Sequence, residues 1–572
     1  MTDAADRAGG HASDRAPGHA TPTPPAEPVE TMDGLLAAAE PAAPRRLGEL
    51  IERLEATGRL RTVRPAEEPE AVGPGAATIG ALAIRGVTFD SRKVPAGSVF
   101  VAVPGGRSDG HDFISVAAAM GAAAAIVERP LRGVPVPQIV VDDARRALAT
   151  TAAWWYADPS RELGVVGITG TDGKTTTSFL ATAVMQAAGI STGLITTAAS
   201  KVGSVRSANR EHVTTPEAPQ LQRILRAMVT AGNSAAVVET TSHGLALSRV
   251  AEIAYDIAIF TNLTHEHLEL HGTFEAYRDA KLSLFRGLGR DDRLKKLARP
   301  WPRAAIVNAD DPAGHLFAEA ALVAGARVIT YGESAGADVR ATAVDEGPRV
   351  LLLEVATPRW NGAVELRLAG RFNVHNALAA IALGEVLGIE PEQVRAGLAS
   401  VQGVPGRMER VDRGQPFSVI VDYAHSPASL EKVLDILAPV ASAGGGGLIA
   451  VFGSAGERDV LKRPMMGRVA GERCRLVVVT DEDPRGEDGG TILDQIAGGA
   501  EAAGRKRGHD LLTIADRRSA IEAAFAAARP GDVVLLAGKG HEQTIIMAEG
   551  PVPWDERSEA IGALARLGFT GE

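Results

Sequence analysis

Short apolar runs alternate with Ala-rich amphipathic stretches along most of the chain, the pattern of buried parallel strands separated by helices. The segment Leu47 to Leu60 places apolar residues at helical spacing and predicts the first ordered helix. Ser98–Val103, Ala124–Val127 and Gln138–Val141 are β-like and predict a small α/β domain. Val165–Thr169 runs into a glycine-rich turn and then a helix from Lys174 to about Gln186. Ala235–Glu239, Ile257–Thr261 and Ala304–Asn308 add further buried strands, as in a doubly wound sheet. Pro and Gly in Val404–Arg410 mark a linker. Beyond it, strands Ser418–Asp422, Leu448–Phe452, Arg475–Thr480 and Asp532–Ala537 alternate with helices Pro427–Leu437, Lys462–Ala470, Thr491–Ala502 and Arg518–Ala528, a Rossmann-like order. Residues 1–45 are rich in Ala, Pro and Gly with almost no β-branched or aromatic side chains, so they are expected to be a disordered tail. The expected fold is α/β in three domains, 46–158, 159–403 and 404–572, the central one with a mostly parallel sheet.

Composition narrows the class. The 572 residues carry 60 Lys+Arg and 70 Asp+Glu, a net charge of −10, which argues against a general nucleic-acid binder. A single cysteine, Cys474, excludes an intrachain disulfide and a cysteine metal cluster. The longest apolar runs fall short of the roughly 18–20 residues of a membrane span. The start of the chain lacks a basic region followed by an apolar core. A cytoplasmic enzyme without membrane insertion is therefore expected.

Gly167-Ile168-Thr169-Gly170-Thr171-Asp172-Gly173-Lys174-Thr175-Thr176-Thr177 carries the strongest chemistry. It follows an apolar strand and opens a helix, so backbone N–H groups of Gly170, Thr171, Gly173 and Thr176 can close on phosphate oxygens at a positive helix N-terminus. Lys174 would reach the terminal phosphates and the Thr175 hydroxyl can ligate Mg²⁺. The loop departs from the common phosphate loop by one position: its glycines fall at 167, 170 and 173, with Ile168 where the first Gly usually stands. Glu239, ending a strand, is a second oxygen ligand suited to Mg²⁺, and His267 a less usual one.

This variant loop resembles that of the Mur ligases and the related folylpolyglutamate synthases, with Asp172 where those families usually have Asn. From about residue 80 onward the resemblance is to the MurE type, which adds the third peptide residue to UDP-N-acetylmuramoyl-L-alanyl-D-glutamate. It implies a small N-terminal UDP-binding domain, a central ATP-binding domain and a C-terminal amino-acid-binding domain. Glu239 and His267 would hold a second Mg²⁺, and Lys281 would be carbamylated, turning a cation that would repel Mg²⁺ into a carboxylate-like group. Lys174, Glu239, His267 and Lys281 would thus carry catalysis. Glu266 and Glu269 keep the charge of the usual Asp. Phe89-Asp90-Ser91-Arg92 resembles the UDP-binding segment, with Ser91 a contact. Thr214, Thr215, Thr241 and Arg249 resemble the muramoyl-peptide contacts, Arg249 through its planar fork. Leu247 stands where a Gln contact is common. Asn373 and Asn376 resemble the adenine-site asparagines, and Arg407 and His425 would contact ATP.

The amino-acid site is implied by the same resemblance. Arg458 would hold a carboxylate of the incoming amino acid, and Gly538 and Glu542, in a fully matching Gly538-Lys539-Gly540-His541-Glu542, would meet its ammonium. Ser454 and Ala455 replace the usual Cys and Gly. Diaminopimelate-adding enzymes usually read Asp-Asn-Pro-Arg where this chain has Glu482-Asp483-Pro484-Arg485. Arg485 favours a second carboxylate, whereas Asp483 would repel it and could prefer a side-chain ammonium. meso-Diaminopimelate is the expected amino acid and L-lysine or L-ornithine the alternative. The expected partners are small molecules: the UDP-linked dipeptide, ATP and a diamino acid, handled by a monomer. The rivals are a folylpolyglutamate synthase, disfavoured by Arg485 and the Gly538–Glu542 segment, and a nucleotide-binding regulator that has lost catalysis, disfavoured by the presence of Lys174, Glu239, His267 and Lys281.

Overall fold

A computed structural model describes residues 30–66, 79–105, 108–209, 214–264, 268–288, 297, 300–347 and 350–571. Three sheets organise them. The N-terminal sheet has five strands, Gly86–Thr88, Ser98–Val101, Ala124–Val127 and Gln138–Val141 in parallel, with Leu60–Arg64 antiparallel at one edge. The central sheet has eleven strands. Its parallel heart orders Thr192–Ile195, Ala235–Glu239, Gly164–Thr169, Ile257–Phe260, Ala304–Asn308 and Arg327–Gly332. The C-terminal sheet has six strands, ordering Glu409–Val411, Ser418–Asp422, Val533–Ala537, Leu448–Phe452, Leu476–Val479 and Leu511–Thr513, all parallel except the first.

Burial on both faces explains why these strands read as continuous apolar runs rather than alternating ones. Val166 and Ile168 face a core that includes Leu180, Val184 and the Asn373–Leu387 helix. Val165 and Val238 face the opposite core, built on Leu221, Leu225 and Met228. Each such side chain removed from water contributes about 1.5–3 kcal/mol.

The expectation of a tail to residue 45 is corrected in part. Met32–Ala38 is a helix, capped by the Thr31 hydroxyl, which accepts the Gly34 N–H, and it buries Leu35 against the Leu221–Met228 core. Glu40 then accepts hydrogen bonds from the Trp155 indole and the Tyr156 hydroxyl and pairs with Arg223. Local composition missed this because the apolar partners lie in the central domain. Residues 1–29 lie outside the described residues. Arg53 and Arg59 join the first domain to the central one through Glu252, at 3.2 and 3.0 Å, and Arg53 also pairs with Asp158. Among the described residues no helix is long and apolar enough to cross a membrane.

Candidate active site

Strand ends build the site. In the central sheet, Ala235–Glu239, Gly164–Thr169 and Ile257–Phe260 are adjacent and parallel, so their C-terminal ends deliver Glu239, the glycine-rich loop and Thr261–Thr264 to one edge. Open α/β sheets bind ligands at that edge. In the C-terminal sheet four adjacent parallel strands end together, delivering Tyr423–His425, Gly538–Glu542, Gly453–Arg458 and Glu482–Arg485. The two edges face each other across a cleft of about 690 Å³.

On the central wall, Gly170 and Gly173 have φ of +151° and +78°. A Cβ on Gly170 would meet the Thr261 hydroxyl at 1.9 Å, and one on Gly173 would meet Asn376 Oδ1 at 2.3 Å, so only glycine permits this loop. The Lys174–Ala187 helix starts directly behind it. Lys174 Nζ donates to the Thr171 carbonyl at 2.6 Å, folded over its own loop. The Thr175 hydroxyl donates to Glu239 Oε2 at 2.9 Å. Glu239, 1% exposed, also accepts the Thr197 N–H at 3.0 Å and the Thr197 hydroxyl at 3.1 Å. Thr175, Glu239, Thr197, Thr214 and Thr241 line the cleft together with Thr171, Thr176 and His243. Among the described residues no three His, Cys, Asp or Glu side chains gather as a metal cage. The oxygen set of Thr175 and Glu239 suits a hard cation that keeps several waters. His267 and Glu266 lie outside the described residues, as does the side chain of Glu269.

Lys281 is 1% exposed, donates to the Gly170 carbonyl at 2.6 Å and sits 4.5 Å from the centre of the Tyr277 ring. The Tyr277 hydroxyl is 2.9 Å from that of Thr171, so lysine and loop share one support. Asn376 accepts from the Thr177 hydroxyl and donates to Asn373, which donates to the Ala369 carbonyl. Both asparagines are buried; Asn376 lines the cleft, and Asn373, outside that lining, accepts its amide N–H. Asn376, Phe372, His375 and Asp310 also line an adjoining cleft of about 320 Å³.

Thr215 is buried and hydrogen-bonded to Thr241 at 3.0 Å. Arg249 is turned to the protein: it pairs with Glu217 at 2.6 Å and donates to the Thr215 carbonyl at 2.9 Å. It therefore shapes the Thr214–Thr215 turn, and its charge is already balanced. Ser91 lies half-buried in the turn after Gly86–Thr88 and is not among the residues that line this cleft.

Lysines missed in the sequence complete the opposite wall. Lys432 reaches across to Asp172 at 2.9 Å. Burial would raise the Asp172 carboxyl, but Lys432, Lys174 and Arg407 outweigh it and hold it below its ordinary value. Lys462 donates to the His425 carbonyl at 2.8 Å. Burial and then Lys462 push His425 down to about 4, so the ring is neutral at pH 7 and sits 2.8 Å from the Tyr423 carbonyl. Arg407 stacks 5.0 Å over Tyr423, whose hydroxyl donates to Glu542.

Asp483, expected to repel a second carboxylate, is itself ion-paired within the protein. Its carboxylate takes the Lys539 ammonium at 2.8 Å and the Ile546 N–H at 2.9 Å. Lys539 is fully buried and also pairs with Glu542 at 2.5 Å. Glu482 is 6% exposed, and its Oε2 has no hydrogen-bond partner. Burial raises its carboxyl against the pull of Lys462 and Lys539. Gly538 has φ of +99°, and a Cβ there would come within 2.8 Å of that oxygen. Arg458, Arg485 and Glu542 line the cleft together with Glu482 and Asp483, and Pro484 is buried. Thr197 and Lys432 carried no motif, Lys462 appeared only as a helix start, and Lys539 was visible inside a motif but had no assigned task.

Comparisons with known proteins agree across the chain. The model of the Mur ligase family catalytic domain matches residues 83–156, that of the Mur ligase middle domain 168–384, and that of the Mur ligase glutamate ligase domain 406–540. A UDP-N-acetylmuramyl-tripeptide synthetase of Roseiflexus sp. (strain RS-1) is 50% identical over 85% of this chain and 96% of its own. A UDP-N-acetylmuramoyl-L-alanyl-D-glutamate--2,6-diaminopimelate ligase of Geobacter metallireducens is 41% identical over 86% and 96%. A solved structure of an enzyme of that second name superposes with a TM-score of 0.58 at 30% identity, covering 86% of this chain and 97% of the other.

Proposed function

This chain belongs to the Mur ligase family, and from that premise we propose that it is an ATP-dependent amide ligase adding meso-2,6-diaminopimelate to UDP-N-acetylmuramoyl-L-alanyl-D-glutamate in peptidoglycan precursor synthesis. The observation that carries the reading is a cleft lined on one wall by a phosphate loop and on the other by Arg458, Arg485, Glu482 and Glu542. In this reading residues 46–158 take the UDP end, 159–403 the ATP and 404–572 the incoming amino acid. The work is that of a cytoplasmic monomer on small molecules, without nucleic acid.

The γ-carboxylate of the D-Glu residue attacks the γ-phosphorus of ATP, ADP leaves, and an acyl phosphate forms. The amine of the third amino acid, after losing its proton, attacks the acyl carbon. The tetrahedral intermediate expels inorganic phosphate and leaves the amide. Lys174, which here donates to the Thr171 carbonyl, and the N–H groups of Gly173 to Thr176 would stabilise the charge that builds on the transferring phosphoryl group, whereas the Thr171 N–H, expected to join them, is taken by the Asn262 carbonyl at 2.8 Å. Asn376 faces the nucleotide, with Arg407 and His425 on the other wall. Thr175 and Glu239 would hold Mg²⁺, with Glu239 and His267 serving a second ion. When bound, Mg²⁺ neutralises phosphate charge. Lys281 in carbamylated form would add an anionic group beside the loop. Thr214 and Thr241 meet the muramoyl dipeptide, and facing domains exclude the water that would hydrolyse an acyl phosphate.

The test is phosphate release from ATP with the UDP-linked dipeptide and, separately, meso-diaminopimelate, L-lysine and L-ornithine. Release that needs the dipeptide and is fastest with diaminopimelate is the expected result. Preference for lysine or ornithine would replace the amino acid in the proposal, and release with none of the three would overturn the ligase assignment.

A further inference from the structure

The amino-acid pocket holds acid where an amide would leave it neutral, yet the cleft keeps Arg458 and Arg485, two guanidinium groups suited to carboxylates. An unbalanced Asp483 would oppose that chemistry. At an effective dielectric near 20, a like charge a few ångströms away costs a carboxylate on the order of 3 kcal/mol, about a hundredfold in affinity. The surroundings of Asp483 remove the conflict. Its Oδ1 takes both the Lys539 ammonium and the Ile546 N–H. Lys539 follows the strand Val533–Ala537, separated from the Leu476–Val479 strand before Asp483 by Leu448–Phe452; it has no exposed surface and places its other contact on Glu542. The ammonium is thus an internal bridge between two carboxylates and contributes no surface to the cleft, whose lining does not include it.

We propose that Lys539 is a specificity-determining counter-ion, which neutralises Asp483 so that the pocket selects an amino acid bearing a second carboxylate at its distal end. This rests on the ligase reading given above. Asp483 then serves as a structural acceptor, and the distal carboxylate is left to Arg485. Glu482, with its free Oε2, stays available to a substrate ammonium. A pocket of this kind takes a diamino dicarboxylic acid in preference to a diamino monocarboxylic one. Without the lysine the same backbone would present a bare Asp483 and select the reverse.

The experiment measures kcat/KM for meso-diaminopimelate and for L-lysine with saturating ATP and UDP-linked dipeptide, and follows their ratio. In the intact protein the ratio favours diaminopimelate. Lys539→Met is expected to lower it at least about tenfold, through a rise in KM for diaminopimelate. Asp483→Asn raises the ratio, because one negative charge leaves the pocket while Lys539 keeps its pair with Glu542. The double variant Lys539→Met with Asp483→Asn brings the ratio back to within about threefold of the intact protein, a rescue that a merely structural lysine would not show. If Lys539→Met does not fold, Asp483→Asn and the double variant, which buries no unpaired carboxylate at 483, still decide. A ratio that falls in Asp483→Asn, or is unmoved by Lys539→Met, overturns the proposal while leaving the ligase reading intact. A wild-type preference for lysine also overturns it, since Asp483 would then be reading the ammonium directly. Absence of turnover with either amino acid in the intact protein is the failure of the ligase reading itself.

Discussion

Replacing Glu556 by Gln should destabilise the C-terminal domain and loosen the amino-acid pocket without touching the nucleotide side. Arg517 and Glu556 are 1% and 0% exposed, and the guanidinium donates to both carboxylate oxygens, at 2.7 and 2.9 Å. The same guanidinium donates to the Asp481 carbonyl at 3.2 Å and the Ala537 carbonyl at 2.8 Å. Those carbonyls immediately precede Glu482–Arg485 and Gly538–Glu542, so one buried cation pins both halves of the pocket. Removing one partner of a buried pair costs about 3–5 kcal/mol, because the other charge is left uncompensated. Glu482 and Asp483 also favour the Arg517 cation and recover part of that cost. The lower end, about 3 kcal/mol, is therefore expected, equivalent to ~6–12 °C for a domain of this size. Trp554, whose indole donates to Glu556 at 2.6 Å, is the one tryptophan beyond residue 403 and gives a local reporter. Urea unfolding followed by its fluorescence measures the loss, and steady-state kinetics should show KM for the amino acid rising with KM for ATP unchanged. A loss below about 0.5 kcal/mol, or equal movement of both KM values, would refute the reasoning.

Three further outcomes are expected. Thr175→Val removes one of the two side-chain oxygens offered to Mg²⁺ and a donor to Glu239; the Mg²⁺ concentration for half-maximal activity should rise about tenfold, on the scale of one lost charge-assisted hydrogen bond, as read from magnesium titrations of phosphate release. Asp172→Asn removes a carboxylate beside the phosphate loop and its half-exposed pair with Lys432; KM for ATP should fall a few-fold while stability moves by less than about 1 kcal/mol, checked by kinetics and thermal melting. His425 is held down to about 4 by burial and Lys462, so the unfolded chain binds a proton that the folded one refuses; stability should be full above pH about 6.5 and fall as the pH drops toward 4, and His425→Asn should flatten that limb in pH-dependent unfolding.

The strand and helix frame was largely legible because its information is local. Ala235–Glu239, Ala304–Asn308, Ser418–Asp422 and Leu448–Phe452 are apolar runs closed by turn residues, and each is a strand with those bounds. The loop from Gly170 to Thr175 was legible because strand, glycines and helix start are contiguous. The helix Met32–Ala38 was not, since its stability comes from Leu35 packing on residues of another domain. That Arg249 pairs with Glu217 was not legible either, because a motif does not reveal a side chain's counter-ion.

The sequence by itself determined the chemistry on offer: a phosphate loop, oxygen ligands for a hard cation, and a pocket of arginines and carboxylates, each written in a short contiguous motif. Only the tertiary structure decided the balance of charge among them. Lys432 meets Asp172 across 260 positions, Lys539 meets Asp483 across 56, and Thr197 meets Glu239 across 42. A charge takes its meaning from its nearest counter-ion and its access to water, and both are set by which strand ends the sheets bring side by side.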